Sequence, residues 1–289
     1  MQYFSKNGNI VLAAQDSFSL HDIFDCGQTF RWNQNDDQSF TGVAADRALT
    51  VSQKDGKIIF HGICRDEFEN FWADYFDLKT DYSKIKSALG ADPVLKEAIK
   101  YGSGIRILKQ DLWECVVSFI ISASNNIPRI KKIIELLCEN FGEKFTYMGK
   151  EFFSFPAPEK IAALTPEDLS VIRSGFRDKY ILDAAKKFKS GEISQQKFAG
   201  LSADDAKEML MTIKGVGNKV ANCIMLFGLS HCECFPVDVW IKRIMEYLYF
   251  DAPQTPARIS LFAQEKFGAL GGYAQQYLFF YARENKIGL

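Results

Sequence analysis

Residues 202–249, SADDAKEMLMTIKGVGNKVANCIMLFGLSHCECFPVDVWIKRIMEYLY, decide the fold. Ser202 followed by two aspartates opens a helix predicted to run to about Ile213. Lys214-Gly215-Val216-Gly217 interrupts it, and a second helix is predicted from near Asn218 to about Leu229. Two glycines two apart permit a tight turn whose outward-pointing amides, at the start of the new helix, suit a phosphate. Gly-x-Gly also serves ordinary helix connections, so the turn alone leaves both readings open.

Lys219 falls in the first turn of the second helix, where the positive end of the helix dipole disfavours a cation. Partly buried there, its amine should lose a proton more readily and act as a nucleophile; on an open surface it is an ordinary lysine. Nineteen positions on, after Phe235-Pro236-Val237, Asp238 stands where another helix begins. As an N-cap it is kept ionised by backbone amides, which suits an assisting carboxylate and equally a cap with no further duty.

Upstream, five short runs read as strands of an antiparallel sheet: NGNIVLAA, QTFRWNQ, SFTGVAAD, RALTVSQ and KIIFHGI, separated by turn signals. DEFENFWADYFDL reads as a helix. From about residue 105 the period changes. LWECVVSFIISA (112–123) suits a buried helix, and Ile130, Ile133, Ile134, Leu137, Cys138 and Phe141 mark an amphipathic one stopped by Gly142. Thr165-Pro166-Glu167-Asp168 is a further helix start. The expected fold is α+β: an antiparallel sheet domain with flanking helices over residues 1–105, then an all-helical domain over 106–289.

Among 289 residues, 47% are apolar and 25% charged, as in an ordinary globular protein. No run approaches the roughly 20 apolar residues of a membrane span. The amino-terminal segment has neither the charged start nor the apolar core of a signal peptide, so a cytoplasmic protein is expected, nucleoid-associated if prokaryotic. Seven scattered cysteines without a C-x-x-C pair point to reduced thiols. Cys232 and Cys234 near His231 lack the further ligands that zinc would need. A net charge of −1 does not exclude nucleic acid, because clustering of Lys and Arg on one face is what matters. Such clusters occur at 129–132, 173–179, 186–189 and 242–243, each equally readable as a solvated helix face.

Taken together, Gly-Val-Gly-x-Lys-Val-Ala, the nineteen-residue gap and Pro-Val-Asp-Val resemble the helix-hairpin-helix glycosylase superfamily, most closely the 8-oxoguanine DNA glycosylases of eukaryotic type. The resemblance extends over Cys26-Gly27-Gln28-Thr29-Phe30-Arg31-Trp32, Ser124-Asn125-Asn126-Ile127-Pro128-Arg129, Gly175-Phe176-Arg177 and Gly272-Tyr273-Ala274-Gln275 through Phe279. It implies a bifunctional glycosylase and AP lyase acting, as a monomer and without a cofactor, on double-stranded DNA that contains 8-oxoguanine, preferentially opposite cytosine. Lys219 would form a Schiff base and Asp238 would stabilise the developing sugar cation. The Gly27 carbonyl would accept the N7 hydrogen that distinguishes the lesion from guanine. Cys223 and Phe279 would sandwich the extruded base and Gln275 would bond its edge. Arg129 and Arg177, with Asn126 nearby, would hold the orphaned cytosine, Phe176 would wedge the stack, and Gly215 and Gly217 would seat a phosphate. Carbonyls of Met211, Ile213 and Val216 match those that hold a monovalent cation in related hairpins.

Ser124, Lys214 and Trp240 stand where the family commonly shows Asn, Pro and a phosphate-contacting His. One alternative is a relative that removes another oxidised base. Oxidised-pyrimidine glycosylases often carry a four-cysteine iron–sulfur loop after the hairpin domain, and here the last cysteine is Cys234. Alkylbase glycosylases generally lack the lysine. A second alternative is a non-catalytic DNA-binding protein that uses the hairpin as a clamp and needs neither Lys219 nor Asp238.

Overall fold

A computed structural model describes residues 2–13 and 17–287. Six antiparallel strands form one sheet in the order β1-β2-β6-β5-β4-β3. They are β1 (Tyr3–Lys6), β2 (Asn9–Ala13), β3 (Trp32–Gln34), β4 (Phe40–Ala44), β5 (Arg47–Lys54) and β6 (Lys57–His61). Two of the connections, Asn7-Gly8 and Asp55-Gly56, place both residues at positive φ, the mirror-image turn that matches strand twist. β1 was not among the five expected runs, and Ala14, the end of the first of them, lies outside the described residues.

QTFRWNQ departs most from expectation: only its last three residues are strand. The preceding segment leaves the sheet because the side chain of Gln28 takes its backbone elsewhere. A short helix, α1 (Leu20–Asp25), leads into that segment, with Ser19 capping it through the Asp22 amide. The expected helix over 66–78 forms as a continuous helical segment that widens into a π turn at Phe68–Trp72. Its buried Phe68, Trp72 and Phe76 pack on Phe60, Trp32 and Phe24, forming an aromatic core under the sheet.

A second core belongs to the helices. α2 (Leu112–Ser122) is buried over nearly its whole length and is capped by Asp111. α3 (Ile127–Phe141) buries the five positions from Ile130 to Cys138 that its period marked, and it stops at Gly142, where a Cβ would lie 2.1 Å from the Ser154 carbonyl. Thr165 forms the expected cap with Asp168, although that helix is one turn long. α4 (Asp178–Lys189), α5 (Ala203–Met211), α6 (Asn218–Gly228), α7 (Val239–Met245) and α8 (Gly271–Glu284) complete the framework of the site.

The α+β class holds, but the second part is not helical throughout. β7 (Lys144–Tyr147) and β8 (Lys150–Phe153) form a hairpin through a Met148-Gly149 turn at positive φ. It docks on the first sheet, where the Tyr147 hydroxyl donates to the His61 carbonyl and accepts from the Thr50 amide.

Arg31 and Glu114 lie in the seam between sheet, α2 and hairpin, both nearly buried and 3.3 Å apart. Arg31 also donates to the Phe153 carbonyl at 2.5 Å, and Glu114 accepts from the Ala45 amide at 3.1 Å. Burial pushes the Glu114 carboxyl up and Arg31 opposes that. Replacing Arg31 with Met would strand a buried carboxylate, so Arg31→Met should cost about 3–5 kcal/mol of stability in urea unfolding. A loss within about 0.5 kcal/mol would show that the pair is not the tie across this seam.

Candidate active site

The hairpin between α5 and α6 is tightened by successive short-range bonds, from the Thr212 amide to Met209, from Ile213 to Leu210 and from Val216 to Ile213. This explains why α5 ends at Met211, two residues earlier than expected. Gly215 has φ +84°, and a Cβ there would lie 2.5 Å from the Tyr180 ring. Gly217 differs: its backbone is extended, and an added Cβ would meet nothing within 4 Å. Its outer face is open beside the first amides of α6, which have no partner within the helix. Lys214 is held by Asp183 of α4, through its amide at 2.9 Å and its ammonium at 3.5 Å. Met211, Ile213 and Val216 surround the turn, and the Ile213 carbonyl already accepts the Val216 amide at 3.1 Å.

Lys219 is the second residue of α6 and is half-buried, with Nζ 5.7 Å from the centre of the Phe119 ring. Asp238 caps α7, with Oδ1 accepting from the Ile241 amide at 2.8 Å. Among the described residues, Asp238 makes no other hydrogen bond and no ion pair with Lys219. Both residues line one cleft of about 440 Å³, together with Gly27, Phe30, Phe119, Asn126, Trp240, Phe279 and Arg283. The elements brought together lie far apart in sequence: the turn after α1, the end of α2, the start of α3, the hairpin, α7 and α8.

At the far wall, Gly27 has φ +78°, and a Cβ on it would stand 3.5 Å from Cε1 of Phe279. Gln28 fixes the turn. Its Nε2 donates to the carbonyls of Ile23 and Arg106 at 2.9 and 2.8 Å, and its Oε1 accepts from the Leu108 amide at 2.8 Å. Cys223 and Gln275 are buried and do not line the open cleft. Burial pushes the Cys223 thiol up while the neighbouring Lys219 opposes that. Gln275 accepts at Oε1 from Gln276 at 2.7 Å.

Beside the cleft, Asn126 caps α3 through the Arg129 amide, and Arg129 is exposed one turn in. Phe176 is 58% exposed, and the Arg177 guanidinium lies 4.4 Å over its ring. Arg177 is itself only 4% exposed. It donates to the carbonyls of Ser174, Ala123 and Ser124, while its Nε is buried without a partner. Burial pushes this guanidinium down, and the nearby Arg129 charge adds to the effect.

Phe119 and Arg283 were not singled out as site residues, and Trp240 only as a departure at a phosphate-contacting position. For Arg283 a signal existed: it continues the four-residue spacing of Gln275 and Phe279 along α8. The seven cysteines are free thiols, and Cys232 bonds to the Tyr273 hydroxyl at 3.4 Å. Among the described residues no group of three or more His, Cys, Asp or Glu side chains is placed to hold a metal ion.

Comparison with known proteins matches residues 10–116 to the 8-oxoguanine DNA glycosylase N-terminal domain and residues 117–268 to the HhH-GPD superfamily base excision DNA repair proteins. A probable N-glycosylase/DNA lyase of Methanothermobacter thermautotrophicus is 33% identical over 232 residues, 73% of this chain and 74% of that protein. The structure of MBOgg1 in complex with a low-affinity DNA ligand superposes with a TM-score of 0.96 at 48% identity, covering 99% of this chain and 100% of that one. The 8-oxoguanine glycosylase/lyase of Clostridium acetobutylicum, bound to double-stranded DNA with cytosine opposite 8-oxoguanine, gives 0.96 at 41% identity and 99% of both chains. The two-part fold therefore has its counterparts in repair enzymes, and the chain belongs to the HhH-GPD superfamily of base excision DNA repair proteins.

Proposed function

We propose that this chain is a bifunctional DNA glycosylase and AP lyase that removes 8-oxoguanine from opposite cytosine, with Lys219 as nucleophile. The observation that carries this reading is a half-buried lysine at a helix start, free of any ion pair with the capped carboxylate that shares its cleft. The neutral Lys219 amine attacks C1′ of the sugar. A C1′–Nζ bond forms, the bond to the base breaks, and its electron pair departs with the base. Sugar ring opening gives a Schiff base. Loss of a 2′ proton then expels the 3′ phosphate, which cuts the strand. Asp238 faces the positive charge that develops at the sugar and helps to transfer protons.

The lesion is distinguished at N7. A carbonyl at Gly27 gains a hydrogen bond from 8-oxoguanine and faces a lone pair in guanine, a difference that a desolvated site reads strongly. Phe279 and Cys223 are the walls of the base slot, and Gln275 takes its Watson–Crick edge. Arg129 and Arg177 hold the orphaned cytosine, with Asn126 near the gap left in the duplex; for Arg177, only 4% exposed, this requires its guanidinium to exchange a carbonyl partner for the base. Exposed Phe176 fills the gap in the stack, and the open face of Gly217, beside Gly215, seats a phosphate. No described helix is long and apolar enough to cross a membrane. A cytoplasmic monomer is the accompanying reading, nucleoid-associated if prokaryotic, divided near residue 105 into sheet and helical domains.

Borohydride trapping on a duplex with 8-oxoguanine opposite cytosine should yield a covalent adduct that Lys219→Gln abolishes. Asp238→Asn should slow base release by about 10²–10⁴-fold. Binding with no adduct from the unaltered protein would leave only a non-catalytic clamp. With the lesion placed opposite each of the four bases, Arg129→Met should compress the preference for cytosine by roughly 5–150-fold, one lost bidentate contact. Equal rates for all four partners with the unaltered protein would remove the partner-base role of Arg129 and Arg177.

A further inference from the structure

We propose that Arg283 and Asp25 form a clamp that sets the geometry of the lesion slot, making both positioning residues for base excision. This rests on the reading that the Gly27 carbonyl faces N7 of the base.

Asp25 is the last residue of α1, two before Gly27. Arg283 lies in the last turn of α8, one turn beyond Phe279 and on the same face. Its Nη2 donates to Asp25 Oδ2 at 2.6 Å, and its Nη1 donates to the Asp25 backbone carbonyl. The guanidinium fork thus grips the side chain and main chain of one residue, 258 positions away in sequence. The position suits both helices: a cation sits favourably at the C-terminal end of α8, and a terminal carbonyl of α1 gains a donor. The side chains of Arg283 and Asp25 are 28% and 51% exposed. As a surface ion pair this one would stabilise the fold little, so its value lies in what it orients.

The direction of the Gly27 carbonyl follows from the backbone on its two flanks. On the following side, Gln28 is bonded to Ile23, Arg106 and Leu108 in the core. On the preceding side, Arg283 ties Asp25 to the helix that carries Phe279. The ring of Phe279 approaches Gly27 to within van der Waals distance of an added Cβ. Carbonyl and ring, adjoining features of one slot, are therefore registered against each other through Arg283. Reading a hydrogen against a lone pair at N7 requires a donor–acceptor distance near 2.9 Å. A misplacement of about 1 Å can slow a reaction by roughly 10²-fold.

Arg283 also lines the cleft and could instead act by touching DNA itself. In that case Asp25 would be dispensable. The two roles separate when base excision is compared with cleavage of a preformed abasic site, which uses Lys219 but has no base to recognise. In single-turnover assays on the full chain, Arg283→Met should slow 8-oxoguanine release about 10-fold and Asp25→Ala at least roughly 3-fold. Abasic-site cleavage should stay within about 2-fold for Asp25→Ala, and the double variant should release 8-oxoguanine no more slowly than Arg283→Met. A parallel fall in both activities of Asp25→Ala would overturn the clamp, as would an unchanged excision rate in that variant. Should Arg283→Met fail to fold, Asp25→Ala at its exposed carboxylate carries the same comparison. The unaltered protein is also assayed on 8-bromoguanine, which keeps the N7 lone pair. Release as fast as that of 8-oxoguanine would defeat the Gly27 reading, whatever the clamp variants do.

Discussion

The buried amide of Gln28 is the interaction on which the rest of the site depends. Its side chain satisfies the carbonyls of Ile23 and Arg106 and the amide of Leu108, while its own carbonyl accepts from Gln110. These bonds draw residues 26–30 away from the sheet and lay them along the strand-like stretch that leads into α2. As a result the segment serves two cores at once. Phe24 and Trp32, on either side of it, stack at 4.2 Å beneath the sheet, whereas Cys26 and Phe30 belong to the helical core. Gly27, between them, is left at the boundary with its backbone facing a cleft. An unmade bond to any of these groups would leave a desolvated polar atom, which explains why the wall of an open cleft rests on so buried a residue.

Lys219 and Asp238 occupy the same kind of place, the first positions of a helix, and the helix dipole acts on them with opposite sign. At α7 the positive end of the dipole lies against the capping carboxylate, and at α6 it lies beside the Lys219 side chain, whose Nζ is 5.7 Å from the centre of the Phe119 ring. Both helices begin where Gly217 and Asp238 leave the backbone extended, so the two functional groups are fixed by the points at which regular structure starts. The hairpin can therefore hold the open amides at the start of α6 and Lys219 on one rigid unit, which a flexible loop could not do.

What was legible in the sequence follows the range of the forces involved. The caps at Ser202, Thr165 and Asp238 act over three residues, and the 3.6 period of α3 over fifteen, so local reading suffices for them. QTFRWNQ misled because β-propensity and alternation were overruled by Gln28 partners some 80 positions away. The β7–β8 hairpin was missed because its four-residue strands gain their stability by docking Tyr147 on a distant sheet. Arg283 shows the limit most clearly. Its spacing from Gln275 and Phe279 was visible along one helix face, but a helix face alone does not say what it meets. Asp25, at the end of a short helix that no periodicity announced, gives that arginine its meaning, because the contact links two chain segments whose juxtaposition depends on both cores being formed.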